Sequence, residues 1–334
     1  MKMTVSTSGV IASFNQIEFI EEAIVNLVGQ VDELIVVDEQ SQDGTYEKLI
    51  DLEGRFSTLR VIKPMYKLGV SGACNLAANE ARGDILIFQG GDDVSTKHRS
   101  ETQIAILSDP KVSIAYSLPT IINRYSQVLP NSVGMEFFRE QTYADVLAEL
   151  FFIGNFICAP SVAMRRADFI ELGAFQINVD YFQDYGLWLK AAEIGNFVKS
   201  EVPVVSYRKH SKNLSKIDYS KSVINRRRDF EINHVLDFFL MSISSESLSG
   251  LMESNGIFDT FNSDSLNKAL LKSSHSNNQV RLSAVQDLLN LSQDCEVSVN
   301  ELQQSSQLIN HILAISNIYD DKIYNKVTEK LRWI

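Results

Sequence analysis

At 334 residues, 45% of them hydrophobic, the chain has more than the length and apolar content needed to bury one large core, and it leaves residues for an appended element. Its 42 acidic against 31 basic side chains give a formal charge of -11, which excludes the basic surface that nucleic acids select and leaves small molecules or proteins as expected partners. Cys74, Cys158 and Cys295 are too few and too widely spaced for a disulfide framework or a paired-cysteine metal site, and they suit a reducing compartment.

The opening segment, MKMTVSTSGVIASF, runs into a strand without the apolar block and cleavage site of a secretory signal, so a cytoplasmic protein is expected. Short β-rich runs then alternate with helical patterns. VIASF is followed by the amphipathic EFIEEAIVNLVGQ, and ELIVVDE by a segment that begins at the turn-forming Asp43 and Gly44. LRVIKP precedes the helix GVSGACNLAANEA, and DILIFQ precedes QGGDDVS and a helix over about 96–108. This βαβα order, with strands that read as continuous apolar runs, predicts an α/β domain whose mostly parallel sheet is covered by helices on both faces. Ligands of such sheets gather at the carboxyl ends of the strands. Asp38 and Glu39 follow one strand there, and Asp92 and Asp93 follow another.

Beyond residue 110 the alternation loosens. SIAYS, SVAMRR and VPVVSYRKH are strand candidates and FQDYGLWLKAAEIG an amphipathic helix, so the sheet is expected to become mixed. LAELFFIGNFICAP, at 147–160, contains Glu149 and is too short and mixed to cross a bilayer. From about 216 onward the pattern is helical, with Ser- and Asn-rich breaks. The expected organisation is an α/β domain over 1–215, a connecting helix over 216–245 and a helical C-terminal region over 246–334. The last segment places Ile323, Val327 and Leu331 on one helical face beside Lys322, Lys326 and Lys330, with Trp333 at its end. Such a helix suits an anionic membrane surface, although packing on its neighbours or on a second subunit is the more ordinary use of that face.

Paired acids at strand ends suit a divalent cation, Mn²⁺ or Mg²⁺, that in turn holds a diphosphate. Asp92 and Asp93 are the best candidates, and Gly90 and Gly91 let backbone approach a ligand where a Cβ would collide. The same four residues also make an ordinary loop and helix cap.

Taken in order and separation, the segments resemble glycosyltransferase family 2, the large group of inverting GT-A enzymes. VIASFNQIEFIEEAIVNLVGQ resembles the opening strand and helix of that family, ELIVVDEQSQDGT its second strand and aspartate-rich turn, and YKLGVSGACNLAANEARGDILIFQGGDD its Gly-rich helix and metal strand. SVAMRRADFIELGAFQINVDYFQDYGLWLKAAEIG and YRKHSKNLS continue the likeness. The resemblance implies a Rossmann-like GT-A domain with a C-terminal α-helical extension, a nucleotide-sugar donor, UDP-linked in expectation, and a saccharide or lipid-linked glycan acceptor in bacterial surface polysaccharide assembly. The helical C-terminal region leaves three roles open: positioning the acceptor, forming a homo-oligomer through its helices, or peripheral contact with the cytoplasmic face of the inner membrane. By position, Ala12, Phe14, Asp38, Glu39, Gly69, Asn75, Asp92 and Asp93 would bind the nucleotide sugar, with Phe14 near the base and Asp38 and Glu39 at base and ribose. Asp93 would bind the metal, Asp92 the ribose or sugar, and His210 the metal or a phosphate.

Asp184 falls where the family places its general base. An inverting transfer needs one carboxylate to take the acceptor hydroxyl's proton, while a cation stabilises the leaving nucleoside diphosphate. Read alone, Asp184 is an acid well placed against a helix dipole. Tyr207 and Arg208 read as strand-end packing and charge, with Arg208 also long enough to reach phosphate. Arg226, Arg227 and Arg228 form a basic cluster that suits a solvated helix face or a pyrophosphate-bearing acceptor.

Three positions depart from the common pattern. Gly90 stands where many members have the first acid of their metal motif, Cys74 replaces an Arg often found before the equivalent of Asn75, and Gln183 replaces a Glu beside the base. They keep open a noncatalytic nucleotide-sugar scaffold. A metal-dependent nucleotidyltransferase also places acids on a Rossmann-like sheet, but SFNQIEF lacks the Gly and Lys of its usual phosphate loop.

Overall fold

The computed structural model describes residues 5–211, 213, 222–257 and 264–291. In chain order the elements are β1 Thr7–Ser13, α1 Ile20–Leu27, β2 Glu33–Asp38, α2 Thr45–Arg55, β3 Leu59–Ile62, α3 Gly69–Glu80, β4 Ile85–Gly90 and β5 Val94–Ser95. There follow α4 Arg99–Leu107, β6 Val112–Ser117, β7 Thr120–Asn123, α5 Met135–Phe138, α6 Val146–Ala148, β8 Ala163–Arg165, α7 Arg166–Glu171 and α8 Gln183–Ile194. The last described elements are β9 Asn196–Ser200, β10 Val205–Lys209, α9 Ser222–Ser242, α10 Ser245–Ser254, α11 Asp264–Ser273 and α12 Asn278–Leu291. The chain divides into two compact units, Met1–Glu140 with Asn155–Ser220, and Gln141–Gly154 with Lys221–Ile334.

The first unit is a mixed, mostly parallel α/β sheet flanked by helices, as the βαβα pattern predicts. Its seven strands run in the order β3-β2-β1-β4-β8-β6-β9. β1 pairs parallel with β2 and β4, β2 with β3, and β6 with β9, while β8 runs antiparallel to β4 and β6. The change from parallel to mixed comes at SVAMRR, where β8 is inserted between strands that reached the sheet earlier in the chain. A smaller three-stranded sheet, β5-β10-β7, includes the predicted strand from VPVVSYRKH.

Local chemistry explains the core. α1 buries Ile20, Ala23, Ile24 and Leu27, the spacing of one helical face, and this face joins Ile11, Leu34, Val36 and Ile87 from the sheet in the core cluster. Emptying such a position, as in Ile24→Ala, costs about 2–5 kcal/mol. At the start of α2, Asp43 Oδ1 accepts the Thr45 N–H at 3.1 Å, and Gly44 adopts a left-handed φ of 94° that favours glycine.

The second unit is the helical extension. It comprises α9 to α12 and, drawn from between the halves of the first unit, the segment 141–154 that includes α6. Glu149 is buried in that segment, where its Oε2 accepts the N–H groups of Thr142 and Tyr143, each at 2.9 Å. The buried amine of Lys272 on α11 lies 2.6 Å from Asp237 of α9 and 2.6 Å from Asp287 of α12, so one cation ties three helices together. Among the described residues no helix is long and apolar enough to cross a membrane. Cys295 and the amphipathic terminal segment with Ile323, Val327 and Leu331 lie outside the described residues.

Candidate active site

The strand order sets the place of the site. β1 passes to β2 on one side and lies against β4 on the other, so the sheet has its switch point between β1 and β4, where open α/β sheets bind ligands. Ala12, near the end of β1, pairs in register with Gly90 at the end of β4.

Just past β4 the chain turns tightly, with the Asp93 N–H on the Gly90 carbonyl, and turns two carboxylates back over Gly90. A Cβ at position 90 would stand 2.6 Å from Asp93 Oδ2 and 2.8 Å from Asp92 Oδ1, so the missing side chain leaves room that both acids share. Asp93 is 1% exposed. Burial and then the neighbouring Asp92 charge hold its carboxyl well above the usual range, opposed by the Arg208 N–H and by the charges of Arg208 and Arg99. Two acids facing one small space fit a divalent cation that completes its shell with phosphate and water oxygens. Among the described residues no group of three or more His, Cys, Asp and Glu side chains could hold such an ion unaided.

His210 lies beside this pair. Its Nε2 is 2.8 Å from Asp92 Oδ2 and its ring is 4.8 Å from that of Phe19. The histidine thus meets the acid pair through Asp92. Arg208, 1% exposed, anchors the same loop: its N–H donates to Asp93 Oδ1 at 2.9 Å, and its guanidinium donates to the carbonyls of Asp92 and Asn123 and to Glu22. Its role here is that of a buried strut rather than a free cation at the rim. Arg99 is also buried, and binds the Phe88 carbonyl at 2.6 Å, Ser95 Oγ at 3.1 Å and Gln103 Oε1 at 3.1 Å, which fixes the end of β4 from behind.

Phe14, near the end of β1, is 44% exposed, with the Lys67 ammonium over one side of its ring 3.9 Å from the centre. Asp38 is fully buried, and its carboxylate accepts the N–H and hydroxyl of Ser41 at 2.9 and 2.6 Å; Ser41 Oγ in turn accepts the Asn15 N–H. Asp38 therefore acts on the loop bearing Phe14 through Ser41. Glu39 Oε2 accepts the N–H groups of Leu68 and Gly69 at 2.9 and 2.7 Å, at the start of α3, which favours an anion. Burial raises the Glu39 carboxyl above its ordinary value despite those bonds. The carboxamide of Asn75 faces the backbone of Phe175, with bonds of 2.8 and 3.0 Å. Cys74 lies against the Ala12 backbone, and its desolvated thiol is pushed up to about 12.

Asp184 sits in the first turn of α8. Its Oδ1 accepts the Tyr185 N–H at 2.8 Å and its Oδ2 the Asn155 side-chain amide at 3.1 Å. Burial outweighs these bonds and pushes the carboxyl up to about 6. Trp188, one turn along, offers its indole N–H to that side without closing a hydrogen bond. The buried Cys158 thiol is raised well above its ordinary value, first by burial and then by the Asp93 charge. Asn155 has no motif of its own. Its sequence signal is a single amide in the apolar run FFIGNFICAP, a polar group that needs a partner once buried.

This fold and site, a Rossmann-like sheet with an acid pair at its switch point and a separate carboxylate on a following helix, define a GT-A type of enzyme. Residues 8–173 match the family model described as Glycosyl transferase family 2, and the chain carries a domain of that family: it is a glycosyltransferase. A Haemophilus influenzae protein described as an uncharacterized glycosyltransferase is 20% identical over 217 residues, 63% of this chain and 67% of that one. The crystal structure of S. aureus TarS 1-349 in complex with UDP-GlcNAc superposes with a TM-score of 0.59 at 14% identity, covering 98% of this chain and 92% of that one. The mannosyltransferase PcManGT from Pyrobaculum calidifontis, in complex with GDP-Man and Mn²⁺, gives 0.56 at 15% identity over 99% of this chain and 86% of its own. At such identities the two structures speak for the fold.

Proposed function

We propose that this glycosyltransferase moves a monosaccharide, with inversion, from a UDP-linked donor to a saccharide or lipid-linked glycan in the assembly of a bacterial surface polysaccharide. The observation that carries the reading is the acid pair at the end of β4, where oxygens of Asp92 and Asp93 stand 2.8 and 2.6 Å from the place a Cβ at Gly90 would take, with His210 Nε2 2.8 Å from Asp92. The UDP-GlcNAc bound by TarS supports the choice of base, and the Mn²⁺ beside GDP-Man in PcManGT supports the metal.

Asp92 and Asp93 would hold the cation, which when bound neutralises the charge that develops on the departing diphosphate. Asp184 takes the proton of the acceptor hydroxyl as its oxygen attacks the anomeric carbon; the bond from that carbon to the diphosphate oxygen breaks, and its electron pair leaves with the nucleotide. A carboxyl raised to about 6 is ionised at neutral pH yet more basic than an ordinary aspartate, which suits a proton acceptor. The Phe14 face offers a stacking surface for the base.

The test is release of nucleoside diphosphate from a panel of nucleotide sugars with Mn²⁺, with and without candidate acceptors. Acceptor-dependent release from UDP-sugars supports the reading. Metal-dependent binding without release across a broad acceptor panel overturns it in favour of a scaffold, and pyrophosphate from a nucleoside triphosphate overturns it in favour of nucleotidyl transfer.

A further inference from the structure

Asn75 stands in the middle of α3, yet its carboxamide is bound to a residue 100 positions away. Its Nδ2 donates to the Phe175 carbonyl at 2.8 Å and its Oδ1 accepts the Phe175 N–H at 3.0 Å. Paired bonds of this kind imitate a strand neighbour and fix a backbone in two directions at once. The Phe175 ring then meets Phe88 of β4, centroids 5.4 Å apart, and Trp188 of α8, centroids 6.1 Å apart. Phe88 belongs to the strand that ends at the acid pair. Trp188 lies on α8 one turn beyond Asp184, so a single aromatic side chain touches both catalytic elements.

The loop that carries Phe175 needs such a fastening. Ala174 holds a left-handed φ of 58°, a strained state for a residue with a Cβ, which persists only where the surroundings impose it. Gln176 Oε1 and Gln183 Oε1 are buried without hydrogen-bond partners, so these side-chain oxygens do little to fix the approach to α8.

We infer that Asn75 is a positioning residue for Asp184: it pins the Phe175 backbone, and the Phe175 ring against Trp188 sets the first turn of α8 relative to the end of β4. The inference rests on Asp184 as the base, and it takes Asn75 out of the donor-binding set that its place in the family pattern implies. Misplacing a reacting group by about 1 Å costs on the order of 100-fold in rate, whereas a donor contact shows itself in binding.

The experiment compares Asn75→Ala, Asn75→Asp and Phe175→Leu with the parent in a Trp333→Phe background, where Trp188 is the only indole. Expected for Asn75→Ala is a kcat lowered by about 10-fold or more, with the donor KM and the calorimetric Kd for UDP within about twofold of the parent. Asn75→Asp, which keeps the bond from the Phe175 N–H, falls between them. Phe175→Leu, which leaves the amide pair in place, reproduces the loss in kcat and covers the case in which Asn75→Ala does not fold. Trp188 emission shifts in Asn75→Ala and Phe175→Leu, and this readout stands even if the parent transfers no sugar. A donor Kd weakened tenfold or more with kcat kept, or Trp188 emission identical to the parent in both variants, overturns the inference.

Discussion

His210 Nε2 and Asp92 Oδ2 lie 2.8 Å apart although 118 residues separate them in the chain. The imidazole orients a carboxylate that faces the proposed cation, as the partners of metal ligands commonly do, and removing such a partner costs about 10–100-fold in metal affinity or activity. His210→Ala is therefore expected to raise the Mn²⁺ concentration needed for half-maximal transfer by that factor. A metal titration of initial rates checks it, and an unchanged midpoint would remove His210 from the metal site.

Asp184 should impose a pH dependence. Its carboxyl is raised to about 6, and the base must be ionised, so transfer rises with pH and reaches half its plateau near pH 6. Asn155 donates to the charged form and lowers this value. Asn155→Ala should accordingly move the acid limb to higher pH, and Asp184→Asn should abolish transfer while sparing UDP binding. The measurement is kcat against pH for the three proteins at saturating donor.

Asp93 is expected to trade stability for function. Its folded value stands above the ordinary one, so proton uptake stabilises the fold: stability rises as pH falls through the folded value, and the gain is complete below the ordinary carboxylate range. Asp93→Asn keeps an oxygen for the Arg208 N–H and removes the buried charge. In metal-free protein it should be more stable than the parent by on the order of 2 kcal/mol at pH 7, with a difference that shrinks on acidification. Denaturant melts at neutral and acidic pH, beside a transfer assay in which Asp93→Asn is inactive, test both halves.

Arg208 should prove structural before it proves chemical. Replacing it with Ala leaves the Asp92 and Asn123 carbonyls without their donor and takes away the partner of Glu22. A loss on the order of 3 kcal/mol is expected. Arg208→Lys restores charge but lacks the fork that reaches all three acceptors, so it should recover only part of that loss in a denaturant titration.

The sequence by itself determined the parts that short-range physics writes. Continuous apolar runs made β1, β2 and β4, the 3.6-residue spacing of Ile20, Ala23, Ile24 and Leu27 made α1, and Asp43 with Gly44 marked the entry to α2. The acids at the ends of β2 and β4 were legible for the same reason, since a strand's end and the carboxylate that follows it are neighbours in the chain. Only the tertiary structure decided what those acids touch. Asp38 turns to Ser41, Glu39 to the start of α3, and Asn75 to Phe175, because each meets a polar backbone or side chain before it meets solvent. It also decided that β8 enters antiparallel between β4 and β6, and that residues 141–154 belong with the later helices. No local period encodes such pairings: they depend on which distant segments exclude water from one another once the sheet has closed its order.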